Sequence, residues 1–368
     1  MDQIDGKPMD LRISEMFEEL SHAREEVLPS KLWTQLNNQN VQQLESDGYE
    51  NFKRTITKNY FTWVIGVMSP GIKSQYTYLW QHLPSITLLS VGLRTLFMGS
   101  HAEIPWKNAV SYNLLCRLGW AYALHSDAAQ RVNVLTEPVE GNPFLITYNG
   151  KLISQDLSNS FLEYRSIMDA KIKTQSIRTV MELGAGYGRT GYVFLKLKPD
   201  IRYIVVDIPP ALYVAEKYLS SQFADRRIFR FRPFQDYKTI AQEFEQAQIA
   251  FLLPHQLELL PDKSIDLSIN ISSLHEMLPE QVAYYLNQID RLTHGYFYMK
   301  QWKQWFNSVD QLLVKEDYYP IPQSWTRMFW RECAVQTLFF EALFAISVNH
   351  ESISPPRPTE GRHPLPTS

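Results

Sequence analysis

Cysteine is nearly missing from this chain. The two that occur, Cys116 and Cys333, lie far apart and in no metal-ligand spacing, which argues against a disulfide scaffold or a zinc ribbon and makes a reducing cytoplasm the expected compartment. An excess of charge is missing too. The 36 basic and 39 acidic side chains leave a formal net charge of -3, so there is no overall electrostatic pull toward nucleic acid or an anionic membrane. No apolar run is long enough to span a bilayer; the nearest, Leu83 to Met98, is broken by Pro84 and Arg94 and reads as a buried helix. The first twenty residues are acidic and amphipathic, without the basic and apolar blocks of an export signal. What is present is the balance of a folded protein, 45% apolar and 20% charged across 368 residues, which excludes wholesale disorder and leaves room for a large core.

Residues 1–135 show apolar positions at three- and four-residue spacing, as in SEMFEELSHAREEVL and AVSYNLLCRLGWAYAL, and are expected to form an all-α accessory region. Residues 136–178 carry an Asn149-Gly150 pair between β-formers, the mark of a hairpin linker, followed by a polar helix read as a lid or as a helix capped at Ser154 or Asp156. From 179 to 348, β-branched runs alternate with helical stretches, so βα units should feed a mostly parallel sheet with helices on both faces. The expected strands are TVMEL, YIVVDI, IFRFR, IAFLL, IDLSINI and YFYMK; the helices are Arg189 to Leu197, Ala211 to Ser221, Tyr237 to Gln246 and Pro279 to Leu292. Periodicity does not decide whether ECAVQTLFFEALFAI is an antiparallel edge hairpin or a helix. Residues 349–368, rich in proline and polar side chains, read as a disordered tail.

The strongest local signal runs from Glu182 through Gly184, Ala185, Gly186 and Gly188 to Gly191, a strand ending in glycines that enter a helix. Such a turn lets backbone approach a ligand closely. About twenty residues on, the next strand ends at Asp207-Ile208, where a carboxylate can accept ribose hydroxyls. Gly186-x-Gly188-x-x-Gly191 also satisfies the dinucleotide fingerprint, so an NAD-dependent sugar oxidoreductase or epimerase is the competing enzyme class. Glu182 weakens it, because a carboxylate two residues before the first glycine would repel a pyrophosphate and favour a cationic sulfonium such as S-adenosylmethionine. Arg189 reads as a methionine-carboxylate ligand or, preferably, a solvated helix residue.

The segment from Ile249 to Pro279 resembles the third and fourth strands of class I S-adenosylmethionine-dependent methyltransferases. His255 and Gln256 stand where those enzymes carry an acidic adenine contact, and Asn270 closes the following strand. The blocks NGKLISQDLSNSFLEY, MELGAGYGRTGYVFLKL, YIVVDIPPALYVAEKYL, FLLPHQLELLPDKSIDL, NISSLHEM and GYFYMKQW, between about Asn149 and Trp305, are similar to the sugar O-methyltransferases of bacterial polysaccharide clusters. That resemblance implies a class I methyltransferase Rossmann-like sheet behind the helical N-terminal region. It also implies methyl transfer to the hydroxyl of a small-molecule or glycan-linked sugar.

Within that reading His275 is the expected general base, oriented or replaced by Glu276. No acidic cluster such as D-x-D stands near them, so metal independence is expected. Lys300, Gln301 and Trp302, with Tyr298 and Trp305, follow the next strand at the ligand-binding edge of the sheet and are expected to meet the acceptor; Gln155, Asn159 and Tyr164 of the lid helix are expected to meet cofactor or acceptor. A non-catalytic partner that keeps the cofactor fold is a third reading. The N-terminal region is open as an acceptor selector, a partner contact or a homodimer interface.

Overall fold

A computed structural model describes residues 3–4, 7–54, 70–96, 106–144 and 146–346. A short hairpin, β1 (Ile146–Tyr148) and β2 (Lys151–Ile153), turns at Asn149 and Gly150, both at positive φ. The central sheet takes β3 (Thr179–Leu183), β4 (Arg202–Val206), β5 (Ile228–Phe229), β6 (Ile249–Leu252), β7 (Ile265–Ile271) and β8 (Thr293–Trp302). A second small hairpin, β9 (Gln304–Asn307) with β10 (Leu312–Lys315), follows. The long strands β11 (Thr326–Glu332) and β12 (Phe339–Ala345) complete the sheet.

Across the sheet the order is β11-β12-β8-β7-β3-β4-β6-β5. The pairs from β8 to β5 are parallel, and β12 enters antiparallel between β8 and β11. This is the class I methyltransferase sheet, extended at one edge by the two-residue β5. The register then builds the site: Leu183 lies opposite Val206 on one side and Asn270 on the other, and Val206 lies opposite Leu252. Gly184, Asp207, Leu253 and Ile271 therefore leave the sheet side by side. Buried positions run almost unbroken along β3, β4, β6 and β7, as they must when helices cover both faces of a parallel sheet.

The helices of the N-terminal part are α1 (Met9–Ser21), α2 (Lys31–Asp47), α3 (Pro70–His82), α4 (Ser85–Leu96) and α5 (Trp106–Ser126). Those around the sheet are α6 (Gln155–Met168), α7 (Arg189–Leu197), α8 (Ala211–Gln222), α9 (Ala241–Gln246) and α10 (Pro279–Leu292). The stretch Tyr237 to Gln246 is not one helix but a 3-10 turn, Tyr237–Thr239, and then α9. The undecided run Glu332 to Ile346 is a turn followed by β12, which lies inside the sheet and leaves β11 as the edge. Expected burial fails for α4: Ile86 is 78% and Leu89 65% exposed, whereas Val91 is buried. The tail at 349–368 lies outside the described residues. Among the described residues no helix is long and apolar enough to cross a membrane.

The N-terminal helices are tied to the sheet domain by specific bonds. Arg12 is buried, and its Nη2 donates to Glu216 of α8 at 3.2 Å and to the carbonyl of Phe231. Glu19 meets His255 Nε2 at 3.3 Å. Leaving either side of the buried Arg12–Glu216 pair alone would cost about 3–5 kcal/mol, so this attachment is part of the fold.

Candidate active site

At the carboxyl ends of β3, β4, β6 and β7 lies a cleft whose open space, mouth included, is about 780 Å³. Its wall on the sheet side is Leu183, Gly184 and Gly186, then Asp207, Ile208 and Ala211, with Pro254 beyond. Gly184 has φ +71°, and a Cβ there would stand 2.2 Å from Ser273 Oγ, so only glycine lets the strand end pass beneath the loop after β7. Asp207 closes the turn: its carboxylate accepts the N–H of Gly186 at 2.6 Å and of Ile208 at 2.7 Å. A carboxylate has roughly four lone-pair sites, which leaves two for vicinal hydroxyls such as those of a ribose. Burial pushes Asp207 up to about 7 against the pull of those two N–H groups.

The remaining lining comes from Ser272, Ser273, Glu276, Met277, Gln281 and Tyr285 after β7, and from Val27, Pro29, Ser30, Trp33 and Leu36. Glu276 opens on the cleft with its side chain 22% exposed, and its Oε1 stands 3.5 Å from His275 Nε2. Burial, with the Asp207 carboxylate adding to it, pushes Glu276 up to about 8.

His275 does not line the cleft. It is buried behind Glu276, edge-on to Trp305 with ring centroids 4.9 Å apart, and burial lowers its pKa to about 4. A chain of bonds sets its tautomer. Asn270 Nδ2 donates to the carbonyl of Leu183 at 2.9 Å, so its Oδ1 accepts, from Leu274 N–H and from Gln301 Nε2. Gln301 Oε1 must then accept, and it receives the backbone N–H of His275 at 3.3 Å and Nδ1–H at 3.1 Å. The neutral imidazole therefore turns a lone pair, on Nε2, toward Glu276. Asn270 and Gln301, expected to touch cofactor and acceptor, are the scaffold of this relay.

Other expected contacts lie away from the cleft. Glu182 is buried beneath the turn and does not line the cleft; the Tyr203 hydroxyl donates to it at 2.7 Å, and burial pushes it up to about 8. The acids that face the cleft are Asp207 and Glu276 instead. Ala185 is in the core, and Gly188 serves packing, since a Cβ would meet Leu219 at 2.8 Å. His255 anchors α1, and Gln256 is a cap, its Oε1 accepting from Leu253 N–H and its Nε2 donating to the carbonyl of Arg232. Pro254 takes their place at the cleft.

The helix α6 is no lid. It packs between α5 and α7 with both its ends and its middle buried. Gln155 bonds Gln75 and, with Asn159, borders a separate small pocket away from the cleft, while Tyr164 packs edge-on to Phe194 at 4.9 Å. Arg189 is neither solvated nor free for a ligand carboxylate: it grips Glu163 at 2.7 and 3.1 Å. Burial would raise Glu163, but the Arg189 and Lys300 charges hold it below its usual value. Lys300 is paired with Glu163 at 2.8 Å and with Gln336, Tyr298 donates to Glu341, and Trp302 packs on Phe339 at 4.4 Å. Beta-strand alternation turns these side chains into the packed layers rather than toward the ligand edge.

Two features of the site escaped the sequence reading. One is the N-terminal wall, whose contacts span over two hundred residues. The other had a signal: Leu-Pro-x-Gln occurs at Leu253–Gln256 and again at Leu278–Gln281. Both glutamines cap their turn with Oε1 and pin a distant carbonyl with Nε2, Gln281 reaching Leu28 at 2.7 Å.

No known family pattern matches the chain, and no curated relative matches it. Among solved structures it is similar to the 1,6-didemethyltoxoflavin-N1-methyltransferase of Burkholderia thailandensis, at 16% identity and TM-score 0.33 over 52% of this chain and 79% of that one. It is also similar to phosphoethanolamine N-methyltransferase 1 of Haemonchus contortus, at 14% identity and TM-score 0.34 over 55% of this chain and 45% of that one. At these identities the likeness is one of fold alone. Among the described residues no group of three or more His, Cys, Asp or Glu side chains is placed to hold a metal ion.

Proposed function

We propose that this protein is an S-adenosylmethionine-dependent O-methyltransferase acting on a sugar hydroxyl, in a setting such as glycan biosynthesis. The observation that carries the reading is the convergence, at the carboxyl edge of a class I sheet, of a glycine-bared strand end, an acid with two free acceptor directions and a second acid backed by a histidine lone pair. When bound, S-adenosylmethionine supplies a methyl group already activated on a sulfonium.

The chain's own residues do the rest. Gly184 and Gly186 offer bare backbone, Asp207 takes the ribose hydroxyls, and Pro254, Ile208 and Ala211 give an apolar seat for a purine. Glu276, ionised, accepts the acceptor hydroxyl's proton as the new C–O bond forms and the C–S bond breaks; its raised pKa near neutrality suits a general base. His275 Nε2, its lone pair fixed by Gln301, faces the Glu276 carboxyl at 3.5 Å and can orient it once that carboxyl holds a proton to donate. The sugar acceptor is supported by the sequence resemblance and by the aromatic and hydroxyl groups of Trp33, Tyr285 and Ser30 on the same cleft.

Calorimetry with S-adenosylhomocysteine and with NAD tests the cofactor: the first should bind and the second should not. Mass spectrometry of glycans from cells with and without the protein tests the acceptor, and the absence of any methyl increment on a monosaccharide would remove the sugar.

A further inference from the structure

Resting on the cofactor reading above, we propose that residues 27–36 are the acceptor wall of the cleft, built to take a ring with one C–H face and an edge of hydroxyls, as a pyranose has. The argument begins with α2. A helix that merely packs turns its apolar side chains inward and its polar ones out. Here the buried positions include Asn37 and Asn40 along with Leu44, whereas Trp33 and Leu36 remain only half-buried and line the cleft. Trp33 and Leu36 thus turn part of their apolar surface to the cavity.

Their position is fixed on purpose-built contacts. Ser30 Oγ accepts the N–H of Trp33 at 3.3 Å and starts the helix at the cleft rim. On one side Gln281 holds the carbonyl of Leu28; on the other Asp310 accepts the N–H of Leu32 at 3.2 Å. The two walls differ in chemistry. The sheet wall is bare backbone and a carboxylate with Ile208, Ala211 and Pro254 beside them, which suits a nucleoside, and the wall at residues 27–36 is an indole, aliphatic side chains and a proline beside one hydroxyl. An indole face covers the apolar side of a pyranose, leaving its hydroxyl edge to Ser30 and to the base Glu276.

The test uses the full chain loaded with S-adenosylhomocysteine, with methyl α-D-glucopyranoside and methyl α-L-rhamnopyranoside as probes in saturation-transfer NMR. The wild type should transfer magnetisation to ring C–H protons of at least one probe. Trp33→Ala should weaken that binding by about tenfold or more and Trp33→Phe should restore most of it, because the flat face is what binds. Calorimetry on each variant should find the affinity for S-adenosylhomocysteine changed by less than about threefold. The proposal is overturned if the loaded wild type gives no pyranoside signal, if Trp33→Ala leaves the signal intact, or if Trp33→Ala loses S-adenosylhomocysteine in step, which would put Trp33 on the cofactor wall. A wild type that binds no S-adenosylhomocysteine overturns both readings, and the calorimetry alone identifies that outcome.

Discussion

Gln301 carries no charge and does not line the cleft, yet its carbonyl oxygen decides which nitrogen of His275 bears the proton, and hence what Glu276 faces. Replacing Glu276 by glutamine should therefore lower kcat by roughly 10²–10⁴ while S-adenosylhomocysteine still binds, as measured by single-turnover methyl transfer beside calorimetry. A pH effect follows from the two raised carboxyls. Asp207 ionises near pH 7 and Glu276 near pH 8, each through burial, so both are largely neutral at pH 6 and charged at pH 9. In the proposed reading donor and thioether product would share the contact with Asp207, and only the donor carries a sulfonium. The ratio of their affinities should rise by about tenfold or more from pH 6 to pH 9, and Glu276→Gln should flatten it; a ratio independent of pH would place the sulfonium elsewhere. Glu182 behaves differently because it is buried and does not line the cleft. With its pKa raised from 4.5 to about 8, the folded state holds more protons than the unfolded one between those values, so this residue costs stability as pH rises through that window. Glu182→Gln should leave the melting temperature nearly unchanged at pH 5 and raise it at pH 9.

At the scale of elements, the turn after β3 is the most exacting piece. Gly184→Ala puts a Cβ onto Ser273 Oγ at a positive φ, and the expected result is loss of S-adenosylhomocysteine binding by about tenfold or more, partly recovered when Ser273 is also changed to glycine. Much at this scale was legible beforehand. The run IDLSINI is strand β7, and the helices beginning at Arg189 and Pro279 end where the apolar period ends, because each is specified by its own neighbours. The direction of side chains at the strand ends was not legible. Glu182, Lys300 and Tyr298 all sit near the ligand edge in sequence, but alternation along β3 and β8 sends them into packed layers where Tyr203, Glu163 and Glu341 meet them. A motif locates a turn; which way a residue beside it points depends on strands arriving from elsewhere. The same limit hid the contribution of α2, since nothing near Trp33 in the chain announces a glycine turn 150 residues away.

Across the whole molecule, the N-terminal helices have two unlike faces. Ile86, Leu89 and Leu93 form an exposed stripe on α4, three and four residues apart, where the sequence led us to expect burial. Changing Ile86 and Leu89 to glutamate should alter the urea unfolding free energy by no more than about 0.5 kcal/mol each, as for other exposed sites; a loss of several kcal/mol would mean that the stripe is covered. The opposite behaviour holds for the strap over the cleft. Arg12 finds its partner 204 residues later, Leu28 is held from 253 residues away and Leu32 from 278. At a ribosomal pace of 5–20 residues per second, this early segment emerges on the order of tens of seconds before the groups that seat it exist. The wall of the cleft is consequently seated late, and a nascent chain stalled between Gly188 and Glu216 would carry a complete glycine turn before any of these three tethers could form.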